Sequence, residues 1–167
     1  GVEKQLATNH LGHFLLVTLL RPQLESARAA RVVVVSSAAH FQAPSGGIDF
    51  DDLAAERSYG AWRAYGQSKL ANVLFAKALA RRIGPRHTAN ALHPGVISTN
   101  LGRNMNPLLG AVAGFVMRPF SKTIPQGAAT SCYVAARPEL EGVTGKYFSD
   151  CAVSEPSRRA NDEALSE

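Results

Sequence analysis

A tyrosine and a lysine, Tyr65 and Lys69, stand four residues apart near the start of a stretch with strong helical character. On a helix, this spacing places the phenol and the ammonium on one face, about one turn of 5.4 Å apart. A free phenol has a pKa of about 10 and is a poor base at neutral pH, but a neighbouring cation favours the phenolate. Such a pair can exchange a proton with the oxygen of an alcohol or a carbonyl group. The same spacing alone also fits a tyrosine that packs at a helix start and a lysine that points into water.

The composition is that of an ordinary globular protein. Of the 167 residues, 46% are apolar and 19% are charged, so the chain can form one core and disorder is not expected. The net charge of +5 comes from dispersed arginines rather than from one basic run, which indicates a solvated surface and no nucleic-acid partner. Cys132 and Cys151 fit neither a disulfide framework nor the spacing of metal ligands. We therefore expect a reducing, cytoplasmic location and no metal site.

The sequence predicts no membrane span. The most apolar stretch, residues 105–120, is too short to cross a bilayer and is interrupted by prolines, an asparagine and an arginine. No signal peptide opens the chain, and the first residue is Gly1 rather than Met. We therefore expect that the start of the protein is missing from this sequence.

Helices and strands are predicted to alternate along the chain. The segment between Ala38 and Ser58 has no sustained period and is expected to be a long loop. Leu101 to Lys122 fits either a core helix or a flap over an apolar substrate. The alternation is typical of a parallel α/β sheet with right-handed crossovers. The predicted helices cover residues 1–20, 61–83 and 123–136, and the predicted strands cover residues 31–35, 88–92 and 145–148.

Four motifs, in order along the chain, resemble the second half of a short-chain dehydrogenase/reductase, in particular its retinol dehydrogenase-like branch. The resemblance implies an α/β fold, namely the C-terminal half of a Rossmann-type doubly wound parallel sheet whose N-terminal strands are missing. It places this partial domain at residues 1–150, followed by a polar tail at residues 151–167. The motifs are Thr8-Asn9-His10-Leu11-Gly12-His13-Phe14, the run from Arg31 to Ser37, Tyr65 to Lys69 with Leu70-Ala71-Asn72, and His93-Pro94-Gly95 with Thr99.

The resemblance also implies a role for each matching residue. Tyr65 would be the acid/base, and Lys69 would hold the ribose of the cofactor and favour the phenolate. Ser37 would orient the substrate carbonyl, whereas Ser36 would be structural. Asn9 would distort its helix and anchor a water molecule in the proton relay. The loop that contacts the nicotinamide side of the cofactor would contain Pro94, Gly95, Val96 and Thr99.

The implied activity is that of an oxidoreductase. It would transfer a hydride between a nicotinamide cofactor and a hydrophobic alcohol, aldehyde or ketone, with the resemblance favouring NADP over NAD. The apolar segment from Leu101 to Lys122 would close over the substrate. The helices at residues 1–20 and 61–83 would form the interface of a homo-oligomer.

The sequence lacks the glycine-rich turn of the family, the residues that choose between NAD and NADP, and the Asn-Asn-Ala-Gly segment. Complete members begin with a glycine-rich turn of the form T-G-x-x-x-G-x-G, which receives the pyrophosphate of the cofactor at a helix N-terminus. Three interpretations therefore stay open: a partial sequence of an ordinary oxidoreductase, a short inactive remnant acting at most as an interaction module, and a serine hydrolase. The hydrolase would use Ser37 or Ser68 with a histidine, but the sequence has no G-x-S-x-G elbow.

Overall fold

A four-stranded sheet forms the centre of the protein in a computed structural model that describes residues 1–96 and 121–167. The strands lie in the order β1-β2-β3-β4; the first three are parallel, and β4 pairs antiparallel with β3. The predicted parallel α/β sheet is thereby confirmed. The strands are β1 (Arg31–Val35), β2 (Thr88–His93), β3 (Tyr147–Ser149) and β4 (Ala152–Ser154).

The predicted helices are present. Helix α1 begins as an α-helical turn at Lys4–Leu6, widens into a π-helical segment at Ala7–Leu11 and continues as an α-helix at Gly12–Leu19. The prediction of a loop between Ala38 and Ser58 was wrong in two places, since 3₁₀ turns occur at Ala38–Gln42 and Phe50–Asp52. The other helices are α2 (Arg21–Ser26), α3 (Ala61–Arg82) and α4 (Ile124–Ala136).

The core lies on both faces of the sheet because successive side chains of a strand point to opposite faces. Val34 of β1 packs with buried residues of α3, among them Leu70 and Val73. On the other face, Leu92 of β2 packs with Val134 of α4 and with residues of β3. Parallel strands covered on both faces are expected to be rich in β-branched and other apolar residues, as the run in β1 is.

Strands β3 and β4 form a hairpin that the sequence did not predict. The two residues between them, Asp150 and Cys151, have φ values of 51° and 58°. Positive φ at both central residues is the requirement of a type I′ turn, which matches the twist of two antiparallel strands. The segment predicted as a polar tail therefore supplies a strand of the sheet, followed by 3₁₀ turns at Arg158–Asn161 and Ala164–Ser166. The division into a domain at residues 1–150 and a tail stays a prediction.

Helix α1 exposes large apolar side chains. Leu15, Leu16 and Leu19 are 57%, 54% and 66% exposed. The contacts of the helix in the described ranges go mainly to α3 and do not cover this side. None of the helices in these ranges combines the length and the apolar character that a membrane span requires.

Candidate active site

The structure brings the phenol and the ammonium of the Tyr65 and Lys69 pair together. Both residues lie in the first turns of α3 and are half-buried. The Lys69 Nζ atom is 5.6 Å from the centroid of the Tyr65 ring. Burial lowers the pKa of the Lys69 ammonium below its ordinary value. This is the juxtaposition that the spacing of the two residues predicts.

The backbone at the carboxyl end of β1 fixes the Lys69 ammonium. Lys69 Nζ donates a hydrogen bond of 3.3 Å to the carbonyl oxygen of Val35. The same oxygen accepts a second hydrogen bond, of 3.2 Å, from Nδ2 of the fully buried Asn72. An ammonium has three N–H donors, so Lys69 keeps donor capacity for a ligand at this edge of the sheet.

The two serines after β1 have different surroundings. Ser36 is 2% exposed, and its hydroxyl donates a hydrogen bond of 2.7 Å to the carbonyl oxygen of Lys69. Ser37 caps the 3₁₀ turn at Ala38–Gln42, and its half-buried Oγ accepts a hydrogen bond of 3.2 Å from the Ala39 N–H. Ser36 therefore joins the strand to α3, whereas Ser37 lies in the turn at the open edge.

The turn that begins at Ser37 packs directly on α3 at Gly66. A Cβ atom added to Gly66 would lie 2.7 Å from the carbonyl oxygen of Ala39 and 2.9 Å from the nitrogen of Ala43. Contacts this close to backbone atoms leave no room for a side chain. Gly66 directly follows Tyr65, so this contact fixes the turn carrying Ser37 against the helical turn carrying Tyr65.

Asn9 lies in the π-helical segment of α1, Ala7–Leu11. A π-helical turn widens a helix locally and is often found at functional sites. Asn9 Nδ2 donates a hydrogen bond of 3.1 Å to Ser68 Oγ, which donates a hydrogen bond of 2.8 Å to the carbonyl oxygen of Tyr65. The helix is therefore distorted at Asn9, and the side chain is tied to the turn that carries Tyr65. Its role in a proton relay stays a prediction.

A hydrogen-bonded pair that sequence reasoning missed, a half-buried histidine and a buried asparagine, supports the Lys69 site. His10 Nδ1 and Asn72 Oδ1 are 3.1 Å apart. Since Asn72 Nδ2 donates to the Val35 carbonyl, Asn72 Oδ1 is the acceptor and His10 Nδ1 carries the proton. Burial lowers the pKa of His10, and the hydrogen bond to Asn72 only partly opposes this effect. The one signal in the sequence was Asn72, a polar residue on the apolar face of α3.

The loop after β2 lies next to the turn after β1. His93 Nδ1 accepts a hydrogen bond of 3.2 Å from the Ala38 N–H, which joins the two loops. Gly95 has a φ of +92°, and a Cβ atom there would lie 2.5 Å from Cδ of Lys122. Lys122 in turn forms an ion pair with Asp150. Pro94, Gly95 and Val96 therefore follow β2 at the edge that Lys69 faces, whereas Thr99 and residues 101–120 lie outside the described residues.

One buried and two half-buried histidines predict how stability depends on pH. Burial lowers the pKa of His10, of His40 and of His93 in the folded protein, so the unfolded chain binds more protons as the pH falls below about 6.5. This contribution to stability is complete above about pH 6.5 and is lost as the pH falls toward the folded-state pKa values. Carboxyl groups titrate mainly below about pH 5 and affect this window little. Urea midpoints are expected to be lower at about pH 5.5 than at about pH 7.5, and equal midpoints would contradict neutral buried histidines.

The larger cavities among the described residues lie away from the Tyr65 and Lys69 pair. An apolar cavity of about 580 Å³ opens between α1 and α3, with Leu11, Phe14 and Phe75 in its walls. A smaller polar cavity of about 270 Å³ is lined by the end of α3 and by the C-terminal segment. Within residues 1–96 and 121–167, no three His, Cys, Asp or Glu side chains are placed to hold a metal ion.

The chain is similar to curated proteins that are about twice its length. No protein-family model matches it. The short-chain dehydrogenase TIC 32 B, chloroplastic, of Brassica napus is 47% identical over 178 residues, which are 100% of this chain and 54% of that protein. Retinol dehydrogenase 14 of Homo sapiens is 48% identical over 168 residues, which are 99% of this chain and 49% of that protein. The chain thus spans about half the length of these relatives.

Solved structures agree with these sequence relatives. A putative uncharacterized protein from Mycobacterium paratuberculosis is 32% identical, with a TM-score of 0.63 over 99% of this chain and 55% of that one. A 3-oxoacyl-[acyl-carrier protein] reductase from Brucella melitensis is 24% identical, with a TM-score of 0.59 over 84% of this chain and 47% of that one, and supports the fold alone. These similarities confirm the resemblance drawn from the motifs, and the fold is the C-terminal part of a doubly wound α/β fold. The chain belongs to the short-chain dehydrogenase/reductase family.

Proposed function

We propose that Tyr65, Lys69, Ser37 and Asn9 form the acid/base half of an active site. The enzyme would be an NAD(P)-dependent oxidoreductase that interconverts an alcohol and a carbonyl compound. The observation that carries this proposal is the Lys69 ammonium, 5.6 Å from the Tyr65 ring centroid and bonded to the last carbonyl of β1. Open α/β sheets bind ligands outside the carboxyl ends of their strands, which is where this pair lies. The names of the relatives, a short-chain dehydrogenase and a retinol dehydrogenase, support the same activity.

The residues at this edge fit a nicotinamide cofactor. Lys69 has N–H donors beyond the one that Val35 accepts, and these can bind the hydroxyl groups of a ribose. The Tyr65 hydroxyl group, on the same helix face, would reach the same sugar. Pro94, Gly95 and Val96 would contact the nicotinamide side, and the preference for NADP over NAD rests on the family resemblance alone. When bound, the cofactor supplies or accepts the hydride.

The protein's own residues would orient the carbonyl group and move one proton. The hydroxyl groups of Ser37 and Tyr65 would both donate to the substrate oxygen, which gains negative charge as the carbon is reduced. Tyr65 would then give its proton to that oxygen, and the positive charge of Lys69 would favour the phenolate left behind. In the oxidative direction, the same phenolate would take the proton from the alcohol. Asn9 would hold the Tyr65 turn in place through Ser68.

Ser68 does not fit the role of a nucleophile in the alternative serine hydrolase. It is 0% exposed, and its hydroxyl group is engaged with Asn9 and with the Tyr65 carbonyl. A nucleophilic serine needs a base in contact with its hydroxyl group and access to the substrate. The contacts of Ser68 therefore favour a structural role in α3.

A reductase assay on the complete polypeptide that contains these residues tests the proposal. With NADPH as the cofactor, hydrophobic aldehydes and ketones are expected to cause a loss of reduced-nicotinamide absorbance. A small 2-oxo acid of similar reactivity is expected to cause a smaller loss. Residues 1–167 alone, assayed in parallel, distinguish an active unit from an interaction module. Absence of turnover with every apolar carbonyl compound, with both NADPH and NADH, would overturn the proposal.

We also propose that the protein forms a homo-oligomer through α1 and α3. The apolar cavity between these helices, together with Leu11 and Phe14 at 41% and 47% exposure, gives that face an apolar character. Removal of such a surface from water contributes about 25 cal/mol per Å² of apolar area, from which the entropic cost of association is subtracted. Leu11 lines the cavity, whereas the more exposed Leu19 does not, so the two residues provide a matched comparison.

Leu11→Lys is expected to dissociate the oligomer, because it places a charge at the wall of the apolar cavity. Leu19→Lys is expected to leave association nearly unchanged, since Leu19 lies outside that wall. Sedimentation velocity over a range of concentrations measures the effect of both. A parent protein that stays monomeric, or variants that behave alike, would contradict the proposed interface.

A further inference from the structure

His40 is a buried histidine beside the candidate active site that the proposed chemistry does not use. It is 1% exposed and lies in the 3₁₀ turn Ala38–Gln42, which Ser37 caps. Its ring packs against the rings of Phe41 and Tyr147, with centroid separations of 4.2 and 5.0 Å. A buried imidazole is costly unless each ring nitrogen has a hydrogen-bond partner.

The two partners of His40 fix its tautomer. His40 Nδ1 is 2.6 Å from the carbonyl oxygen of Ser37, which can only accept a hydrogen bond. The Ser157 N–H, which can only donate, lies 2.9 Å from His40 Nε2. Nδ1 must therefore carry the proton and Nε2 must be bare. A second proton would place two donors against each other at Nε2, so these contacts require the neutral ring.

The partner at Nε2 belongs to a distant part of the chain. Ser157 stands 117 residues after His40, in the segment that follows β4. This segment is held on the protein by a hydrogen bond of 2.6 Å from Arg159 Nε to the carbonyl oxygen of Ser45. The side chain of His40 thus connects the C-terminal segment to the backbone of Ser37.

We propose that His40 is a positioning residue: the neutral ring holds the Ser37 turn against the C-terminal segment and thereby fixes where the Ser37 hydroxyl group points. The inference rests on the proposed function, in which that hydroxyl group orients the substrate carbonyl. The Ser37 carbonyl also accepts a hydrogen bond of 3.1 Å from the His40 N–H, so the side chain strengthens a turn that is already formed. Loss of the hydrogen bond from the His40 ring therefore allows the Ser37 hydroxyl group to take more orientations but does not unfold the turn.

A pair of amide variants separates the two hydrogen bonds of the His40 ring, the one to the Ser37 carbonyl and the one from the Ser157 N–H. His40→Asn places an N–H donor near the position of Nδ1 and keeps the bond to Ser37, but does not reach Ser157. His40→Gln places an amide oxygen near the position of Nε2 and keeps the bond to Ser157, but loses the one to Ser37. Loss of the hydrogen bond from His40 Nδ1 to the Ser37 carbonyl is expected to lower kcat by about 10- to 100-fold, the scale of a misplaced catalytic group. The kcat of His40→Asn is expected to fall less.

A second pair of variants tests the hydrogen bond from the Ser157 N–H to His40 Nε2. Ser157 has a φ of −56°, which lies in the range of proline, so Ser157→Pro removes the N–H donor at a φ that proline adopts. Ser157→Ala keeps the N–H and removes a hydroxyl group that has no partner among the described residues. Ser157→Pro is expected to lower kcat with an unchanged KM for the cofactor, whereas Ser157→Ala is expected to behave like the parent.

The same variants in a Ser37→Ala background decide whether His40 acts through Ser37. If it does, His40→Gln and Ser157→Pro have little further effect on the residual activity once the hydroxyl group is gone. Losses that multiply in that background, or equal activity of His40→Asn and His40→Gln, would overturn the inference.

NMR of the imidazole nitrogens in the complete protein gives a readout without turnover. For His40, Nδ1 is expected to be protonated and Nε2 bare, and the opposite assignment would also overturn the inference. If Ser37→Ala and Tyr65→Phe alone leave kcat unchanged, the proposed function fails instead.

Discussion

Tyr65→Phe is expected to remove turnover almost completely while leaving the fold unchanged. The substitution deletes one hydroxyl group and keeps the ring that packs near Trp62, at a centroid distance of 6.2 Å. General acid/base catalysis typically contributes about 10²- to 10⁴-fold to a rate, so kcat is expected to fall by that factor. Steady-state reductase assays on the complete protein measure the loss, and circular dichroism measures the fold.

Tyr59→Phe is the matched control for this prediction. Tyr59 is 63% exposed and lies before α3, so removal of its hydroxyl group is expected to change kcat less than about 2-fold. If Tyr65→Phe kept the parent kcat, or lost activity only together with its fold, Tyr65 would not be the acid/base.

Gly66→Ala is expected to lower both stability and turnover. Alanine has the better helix propensity, by about 1 kcal/mol, and would stabilise an exposed helix. Here the new Cβ atom meets three backbone atoms, those of Ala39, Gln42 and Ala43, within 2.9 Å. Overpacking of this kind costs about 1–3 kcal/mol and moves the turn that Ser37 caps. The steric cost is therefore expected to exceed the gain in propensity, with a fall in kcat on the order of 10²-fold from the displaced serine.

Gly46→Ala serves as the control for Gly66→Ala. A Cβ atom at Gly46 would have nothing within 4 Å, so this variant is expected to match the parent in both measurements. Urea denaturation gives the change in stability and the reductase assay gives kcat. A Gly66→Ala variant as stable and as active as the parent would show that the turn at Ala38–Gln42 does not need this close approach to α3.

Local sequence patterns were sufficient for the elements that form the centre of the fold. The run of four valines after Arg31 predicted β1, and apolar spacing with Arg81 and Arg82 in the last turn predicted α3. Tyr65 and Lys69 lie on one such helix, so a local rule was also enough to place the ammonium beside the ring. These predictions needed no knowledge of what packs against the elements.

Elements that depend on distant contacts could not be predicted in this way. The 3₁₀ turn at Ala38–Gln42 has no periodic signal, because it is held by Ser37 and by the close approach to Gly66. Strand β4 has only three residues and is reached through Asp150 and Cys151, a pair without the glycine that usually marks a type I′ turn. Tertiary pairing with β3 stabilises it instead.

The parts of the site that sequence reasoning missed are those whose partners lie far along the chain. His10 meets Asn72 across 62 positions, and His40 meets Ser157 across 117 positions. A histidine in a sequence carries no sign of which nitrogen will be paired or with what. The motifs therefore predicted the groups that would act on a substrate, whereas the groups that hold them became visible only in the folded structure.

The most direct measurement of the central claim is the fate of deuterium placed at the transferable position of a reduced nicotinamide cofactor. Hydride transfer predicts that a hydrophobic aldehyde reduced by the complete protein carries that deuterium on its carbinol carbon. It also predicts that Tyr65→Phe forms almost none of this product, because the oxygen then lacks its proton donor. Deuterium released to water, or labelled alcohol formed equally well by Tyr65→Phe, would contradict the account.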